Sequence, residues 1–178
     1  MMLPANDGLL LEAVQMGNLT VVRALLNNRG RKNSATGSSS SSNGDWSLLH
    51  LAAFQGSAEM TELLLEHGYH PNVEDSNGKT PLHWASLHCH EHIMQHLLRH
   101  RADPNHATGG GDGNTPLHWA VQYGNDAIVN ILLQHGANPR IPNNDYQSPL
   151  SLARRHGRRA IVLQLLKHRL QEASSIDC

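Results

Sequence analysis

The chain has 178 residues, 39% of them hydrophobic, and a formal net charge of −1, which suits one domain with a sizeable core and gives no global pull toward nucleic acid or anionic membrane. Its two cysteines, Cys89 and Cys178, are too few for a disulfide framework and point to a reducing compartment. The opening MMLPANDGLLLEAV has no basic region and is broken by Glu12, so no signal peptide is expected; no stretch approaches the ~18 apolar residues of a membrane span, and the cytoplasm or nucleus is the expected location.

In chain order, GLLLEAVQMGNLTVVRALL from Gly8 is the first helix pair. GRKNSATGSSSSSNG follows, residues 30–44, too polar to pack and expected as a flexible insert. Then SLLHLA begins at Ser47, TPLHWA at Thr80 and again at Thr115, and SPLSLA at Ser148, at spacings of 33, 35 and 33. A second block keeps step nine residues later: GSAEMTELLLEHG from Gly56, CHEHIMQHLLRHR from Cys89, GNDAIVNILLQHG from Gly124 and GRRAIVLQLLKHR from Gly157. In the first block Ser or Thr suits an N-cap, and the proline after it the first helical turn, where its missing N–H is not needed. In the second, glycine at 17, 56, 124 and 157 allows the left-handed backbone of a tight helix-to-helix turn. The pairs Leu63–Leu64, Leu97–Leu98, Leu132–Leu133 and Leu165–Leu166 supply the buried stripe of a second helix. Helices this short are not stable alone, so stacking of the units must bury a shared core.

The TPLHxA motif, the period near 33 and the GYHPN, RADPN and GANPR segments resemble the ankyrin-repeat family. The resemblance runs from about residue 7 to 170. It implies an all-α ankyrin-repeat solenoid of helix-turn-helix units joined by hairpin-like loops, with units near 7–29, 45–77, 78–112, 113–145 and 146–170 and a tail at 171–178. Two departures stand out besides the serine-rich insert. ATGGGDGN lengthens one connection by two residues, and without GxxxxGK or a preceding strand it is a poor phosphate cradle. Cys89 stands where the other units have glycine, which predicts either backbone strain or a local change of turn.

The histidine-rich stretch HCHEHIMQHLLRH, residues 88–100, raises the question of a metal site. The repeat accounts for half of the 14 histidines. The resemblance implies that His50, His83 and His118 bond neighbouring backbone and tie adjacent units. His67, His100, His135 and His168 share one position at the end of each second helix, where the helix dipole favours an imidazolium. His90 matches a histidine that often follows the turn glycine in ankyrin repeats, which leaves His92 and His96 as a four-apart pair. Two ligands are fewer than the three or four that zinc requires, so no metal and no cofactor are expected. No nucleophile motif or catalytic carboxylate pair appears, and the chain is not expected to be an enzyme.

Function should therefore reside in binding a partner protein on the concave face of a solenoid. The resemblance places contacts on the first helices, at Phe54 and Gln55, Leu87 and His88, Gln122 and Tyr123, Arg155 and His156. It places others at the loop tips, at Trp46, then Ser76, Asn77 and Lys79, then Asp112 and Asn114, then Asp145 and Gln147. Trp46, Phe54, Leu87 and Tyr123 stand out as large apolar groups at nominally exposed positions. From Asp45 to Glu91 seven acids face one base, a balance of −6, and from Arg140 to Arg169 seven bases face one acid, a balance of +6. The basic end offers either a solvated cap or, through Arg154, Arg155, Arg158 and Arg159, an alternative site for an acidic peptide, phosphate, nucleic acid or an anionic surface. Nucleic acid is not the expected partner, and the protein is expected to be a monomer in isolation.

Overall fold

The computed structural model describes residues 5–29 and 46–176, with side chains described for 8–28 and 46–171. The expected insert at 30–44 lies outside the described residues, as do residues 177–178 of the expected tail. Among the described residues there are ten helices and no strand. They form five pairs: α1 (Ala5–Gln15) with α2 (Leu19–Arg29), α3 (Leu48–Gln55) with α4 (Ala58–Glu66), α5 (Pro81–Leu87) with α6 (Glu91–Arg99), α7 (Pro116–Tyr123) with α8 (Asp126–Gln134), and α9 (Pro149–Arg155) with α10 (Arg159–Ile176). The first helices α1, α3, α5, α7 and α9 pack in one row and the second helices in another, so the molecule is a two-layer stack. This is the all-α repeat solenoid expected from the motif spacing.

Each unit starts with Ser47, Thr80, Thr115 or Ser148 as an N-cap in extended geometry, followed in three units by proline at the start of the helix. The core is the repeated stripe: Leu49, Leu82 and Leu117 from the first helices interleave with Leu64, Leu97 and Leu132 from the second, all fully buried. A buried leucine contributes roughly 1.5–3 kcal/mol by leaving water, and here each one is covered by its own unit and the next. In the last unit Leu165 is buried and Leu166 half-buried.

Two polar ladders fix the units in register. The ring of His50 accepts from the Ser47 backbone N–H at Nδ1 (3.1 Å) and donates from Nε2 to the Lys79 carbonyl of the next unit (2.9 Å). His83 repeats this between Thr80 and Asn114 (3.0 and 3.1 Å), and His118 between Thr115 and Gln147 (3.1 and 2.9 Å). A backbone N–H facing one nitrogen and a carbonyl facing the other leave only the neutral Nε2–H tautomer satisfied. On the opposite edge Asn72 donates to the Arg101 carbonyl and accepts from the Asp103 N–H, and Asn105 does the same to Gly136 and Asn138. His67 and His135 instead close their own helices, each with Nδ1 2.8 Å from the carbonyl four residues back.

The turns show where glycine is required. Cys89 keeps the left-handed turn at φ 60°, so the turn geometry survives and the strain falls on a residue with a β-carbon. Arg101 (φ 67°) likewise replaces the glycine that ends α4 and α8. α10 runs on to Ile176, past residue 170 where the last unit was expected to end. His168 therefore lies inside a helix, whereas His67, His100 and His135 cap theirs. Arg169 stands in the register of Gly68 and Gly136, and the helix continues through it where those glycines take left-handed backbone. The two-residue insertion in ATGGGDGN has a structural use: the Gly110 N–H donates to the Asn77 carbonyl (3.1 Å), and Asp112 and Gly111 carbonyls accept from the Asn144 backbone and side chain (3.0 Å each). The three tips are thereby clasped in a row.

Gly78 (φ 72°) lies so close under this clasp that a β-carbon would run into the Gly109 backbone, whereas Gly17 (φ 68°) has open space around it. Gly17→Ala should therefore cost about 1 kcal/mol for the left-handed backbone alone, and Gly78→Ala about 3 kcal/mol or more, measured as urea midpoints. Burial, partly offset by the Asn114 bond, lowers the His83 pKa to about 4 and lowers those of His50 and His118 as well. An unfolded histidine titrates near 6.5, so below that pH the unfolded chain takes up protons that the folded chain refuses. Stability should thus be full above pH 6.5 and fall steadily toward pH 4. Urea midpoints at pH 7 and pH 5 should differ more for the wild type than for His83→Gln.

Candidate partner-binding face

In a chain of only 4% aromatic residues, all three tryptophans and the one phenylalanine gather on the first-helix row. The row begins at Trp46, whose ring centroid lies 5.3 Å from Phe54 of its own unit and 4.5 Å from Trp84 of the next. Phe54 meets Trp84 (5.9 Å) and His88 (4.9 Å) edge-on, and His88 stacks on Trp84 at 6.2 Å and on His90 at 5.9 Å. Farther along, Trp119 lies 6.2 Å from Tyr123. The two clusters are joined by Lys79, whose Nζ sits 5.1 Å from the Trp84 ring and 4.8 Å from the Trp119 ring. Each such contact is worth about 0.5–1 kcal/mol at a partly exposed site.

The scaffold places these side chains directly. Lys79 is the residue whose carbonyl accepts from His50, and its N–H donates to Asp75 Oδ1 (2.9 Å), so its backbone is held on both sides. Asp75 is buried and also accepts from the Trp84 indole Nε1 at 3.2 Å. Trp119 occupies the same register, yet its buried Nε1 has no hydrogen-bond partner among the described residues. The insertion is the reason: five residues before Thr115 stands Gly110, where Asp75 stands five before Thr80. The displaced acid, Asp112, bonds Thr108 and Asn114 instead. Burial works to raise the Asp112 pKa, and those hydrogen bonds together with the Lys79 charge outweigh it and hold the carboxyl below its ordinary range.

The expected contact residues fall into two groups. Phe54 (44% exposed) and Tyr123 (50%) present their rings to solvent, and Gln55, His88, Gln122, Arg155, His156, Ser76, Asn77, Asp112 and Asp145 are exposed. Trp46, Leu87, Lys79, Asn114 and Gln147 are half-buried instead, because each leans on the neighbouring unit or gives its carbonyl to the histidine ladder. Gln55 also binds back to the Gln15 carbonyl (3.0 Å). Of the basic cluster, Arg154, Arg155, Arg158 and Arg159 are all exposed, and Arg158 donates to the Gln122 carbonyl (3.3 Å) while lying over Gly124. His92 is exposed and His96 lies 3.6 Å from Glu62, with His106 3.3 Å from Glu74. Among the described residues no group of three or more histidine, cysteine, aspartate or glutamate side chains is placed to hold a metal ion.

Sequence reasoning missed Trp84, Trp119 and Tyr146. The two tryptophans stand inside the TPLHWA motif, which set the repeat register without singling them out. Tyr146, 91% exposed at φ 59°, occupies a tip position that holds glycine in the two preceding units.

The sequence profile described as "Ankyrin repeats (3 copies)" matches residues 9–108 and 95–177. The chain belongs to the ankyrin-repeat family. It is 60% identical over 42 residues to an ankyrin repeat protein of Pyrobaculum aerophilum, a match covering 24% of this chain and 16% of that one. It is 44% identical over 52 residues to Rabankyrin-5 of Mus musculus (29% and 4%) and 40% identical over 65 residues to the ADP-ribosylation factor GTPase-activating protein AGD2 of Arabidopsis thaliana (36% and 8%). The chain thus spans less than a fifth of the length of each of these relatives. Ankyrin repeats are generally protein–protein interaction modules and typically not enzymes. Among the described residues no helix is long and apolar enough to cross a membrane.

The two indoles of this ankyrin stack provide a matched pair. Trp84→Phe deletes a bond to a buried carboxylate and should cost about 1–2 kcal/mol more than Trp119→Phe, which deletes an N–H that has no acceptor; thermal melts of the two variants should differ by several degrees.

Proposed function

We propose that this protein binds a partner protein on the concave face formed by its first helices and loop tips, and that it contributes no chemistry of its own. The observation that carries the reading is the concentration of Trp46, Phe54, Trp84, His88, Trp119 and Tyr123 in one band, with Phe54 and Tyr123 open to solvent. Large, stiff aromatic side chains dominate interface energies because they bury much area and lose little freedom on binding. The flanking exposed positions, Gln55, His88, Gln122, His156, Ser76, Asn77 and Asp145, provide polar groups of the kind that rim an interface.

Family membership supports a binding role in general, and the short matches leave the relatives' own activities with those proteins. Changing Trp46, Phe54 and Tyr123 together to serine should weaken capture of partners by about 100-fold or more, as expected when several hot-spot aromatics are lost. The measurement is quantitative mass spectrometry of proteins retained from cell lysate by wild type and variant, with circular dichroism to show that the helices persist. An unchanged set of retained proteins would remove the concave face from consideration.

A further inference from the structure

The balance of −6 over residues 45–91 is an arithmetic property of the chain and not of any one face. The helices α3, α5, α7 and α9 read LLHLAAFQ, PLHWASL, PLHWAVQY and PLSLARR, without a single carboxylate. The exposed acids of these units stand on the second row, Glu59, Glu62 and Glu66 on α4, Glu91 on α6 and Asp126 on α8, and on the loops, where Asp112 and Asp145 flank the face at its tips; in the first row Glu12 of α1 is exposed. On the aromatic face the fixed cations are Lys79 at its centre and Arg155, which occupies in α9 the register position that Phe54 occupies in α3.

Lys79 is unlike an ordinary surface lysine. Its ammonium is held between two indole rings, and among the described residues it has no carboxylate within ion-pair distance. Asp75, the acid beside it, spends Oδ1 on the Asn77 and Lys79 N–H groups and Oδ2 on Trp84. Asp112, exposed on the next tip, is hydrogen-bonded by Thr108 and Asn114 and feels the Lys79 charge without a direct ion pair. An exposed lysine pairs weakly because ordering a long side chain cancels most of the gain. Here the indoles have already ordered it, so a carboxylate arriving from outside meets a preset cation flanked by apolar rings.

We infer that the segment this face takes is acidic and apolar together: an extended stretch of a partner protein with one carboxylate on Lys79, a second on Arg155, and aromatic or aliphatic side chains between them. The inference rests on the protein-binding reading above and adds the chemistry of the partner. The helices α5 and α9 are two packing steps apart, roughly 16–20 Å at 8–10 Å per step, which an extended chain spans in about five or six residues. A single strand of nucleic acid presents a charge about every 3.4 Å and would meet neutral Asn114, Gln122 and Tyr123 over most of that span.

The test uses fluorescein-labelled peptides on the whole protein: one with two glutamates at that spacing and phenylalanine and leucine between them, the same peptide with glutamine in place of glutamate, the same with lysine, and a random single-stranded oligonucleotide. Fluorescence anisotropy should show the glutamate peptide binding about tenfold tighter than the glutamine one, the scale of a charge-assisted bond. Lys79→Met should erase that preference while Lys79→Arg retains it, with circular dichroism confirming that both variants are folded. Equal binding of the glutamine or lysine peptide, tighter binding of the oligonucleotide, no peptide binding, or an unaltered preference in Lys79→Met would each overturn the inference. If the aromatic variant loses its lysate partners while the charge preference fails, only the chemistry assigned here is wrong; if it keeps them, the face itself is wrong.

Discussion

One hydrogen-bonded imidazole per unit governs the geometry of the stack. His50, His83 and His118 each close their own helix start through Nδ1 and reach the next unit's loop through Nε2. A ring with a donor and an acceptor on opposite edges acts as a spacer of fixed length, and burial removes the water that could replace either partner. The series ends at Ser151, whose hydroxyl turns back to the Ser148 carbonyl (2.8 Å). One residue that receives such a bond, Lys79, also sets its side chain between two rings of the aromatic band. There the backbone serves the scaffold and the side chain the proposed face.

That sharing explains the alignment of the aromatic band. Trp46 stands one residue before its N-cap and Trp84 four after Thr80, and a register held by the histidine bond brings them to 4.5 Å across the unit boundary. Lys79 and Trp119 meet by the same offset one unit on. The second row of helices carries the leucine stripe inward and the carboxylates of α4, α6 and α8 outward, whereas α3, α5, α7 and α9 carry none.

The repeat, the N-caps, the leucine stripe and the linking role of the histidines were legible because each depends on residues close in sequence and recurring in step. The proposed face was legible only in part. Phe54 and Tyr123 could be singled out by counting from the motif, whereas Trp84 and Trp119 were absorbed into the motif itself. The contact of Lys79 with Trp119 spans 40 residues and depends on the exact rotation between units, for which no local pattern exists. The run of α10 to Ile176 had no local signal in the repeat, because the register places Arg169 where Gly68 and Gly136 end the equivalent helices. Counting charge along the chain misled as well, since helical periodicity and layering sort neighbouring residues onto opposite sides.

The seams between units carry a further consequence. His90 lies over Gly56 and Arg158 over Gly124, each filling space that a β-carbon would take. Cys89 has that β-carbon, and the residue in the matching position of the unit above it is the short Asn125. Neighbouring units are therefore fitted as individual pairs, large on small. The units are order-specific, and deleting the fourth would bring an arginine down onto a cysteine. Drift within one unit is in this way constrained by its neighbour, and the array is inherited as a sequence of fitted joints.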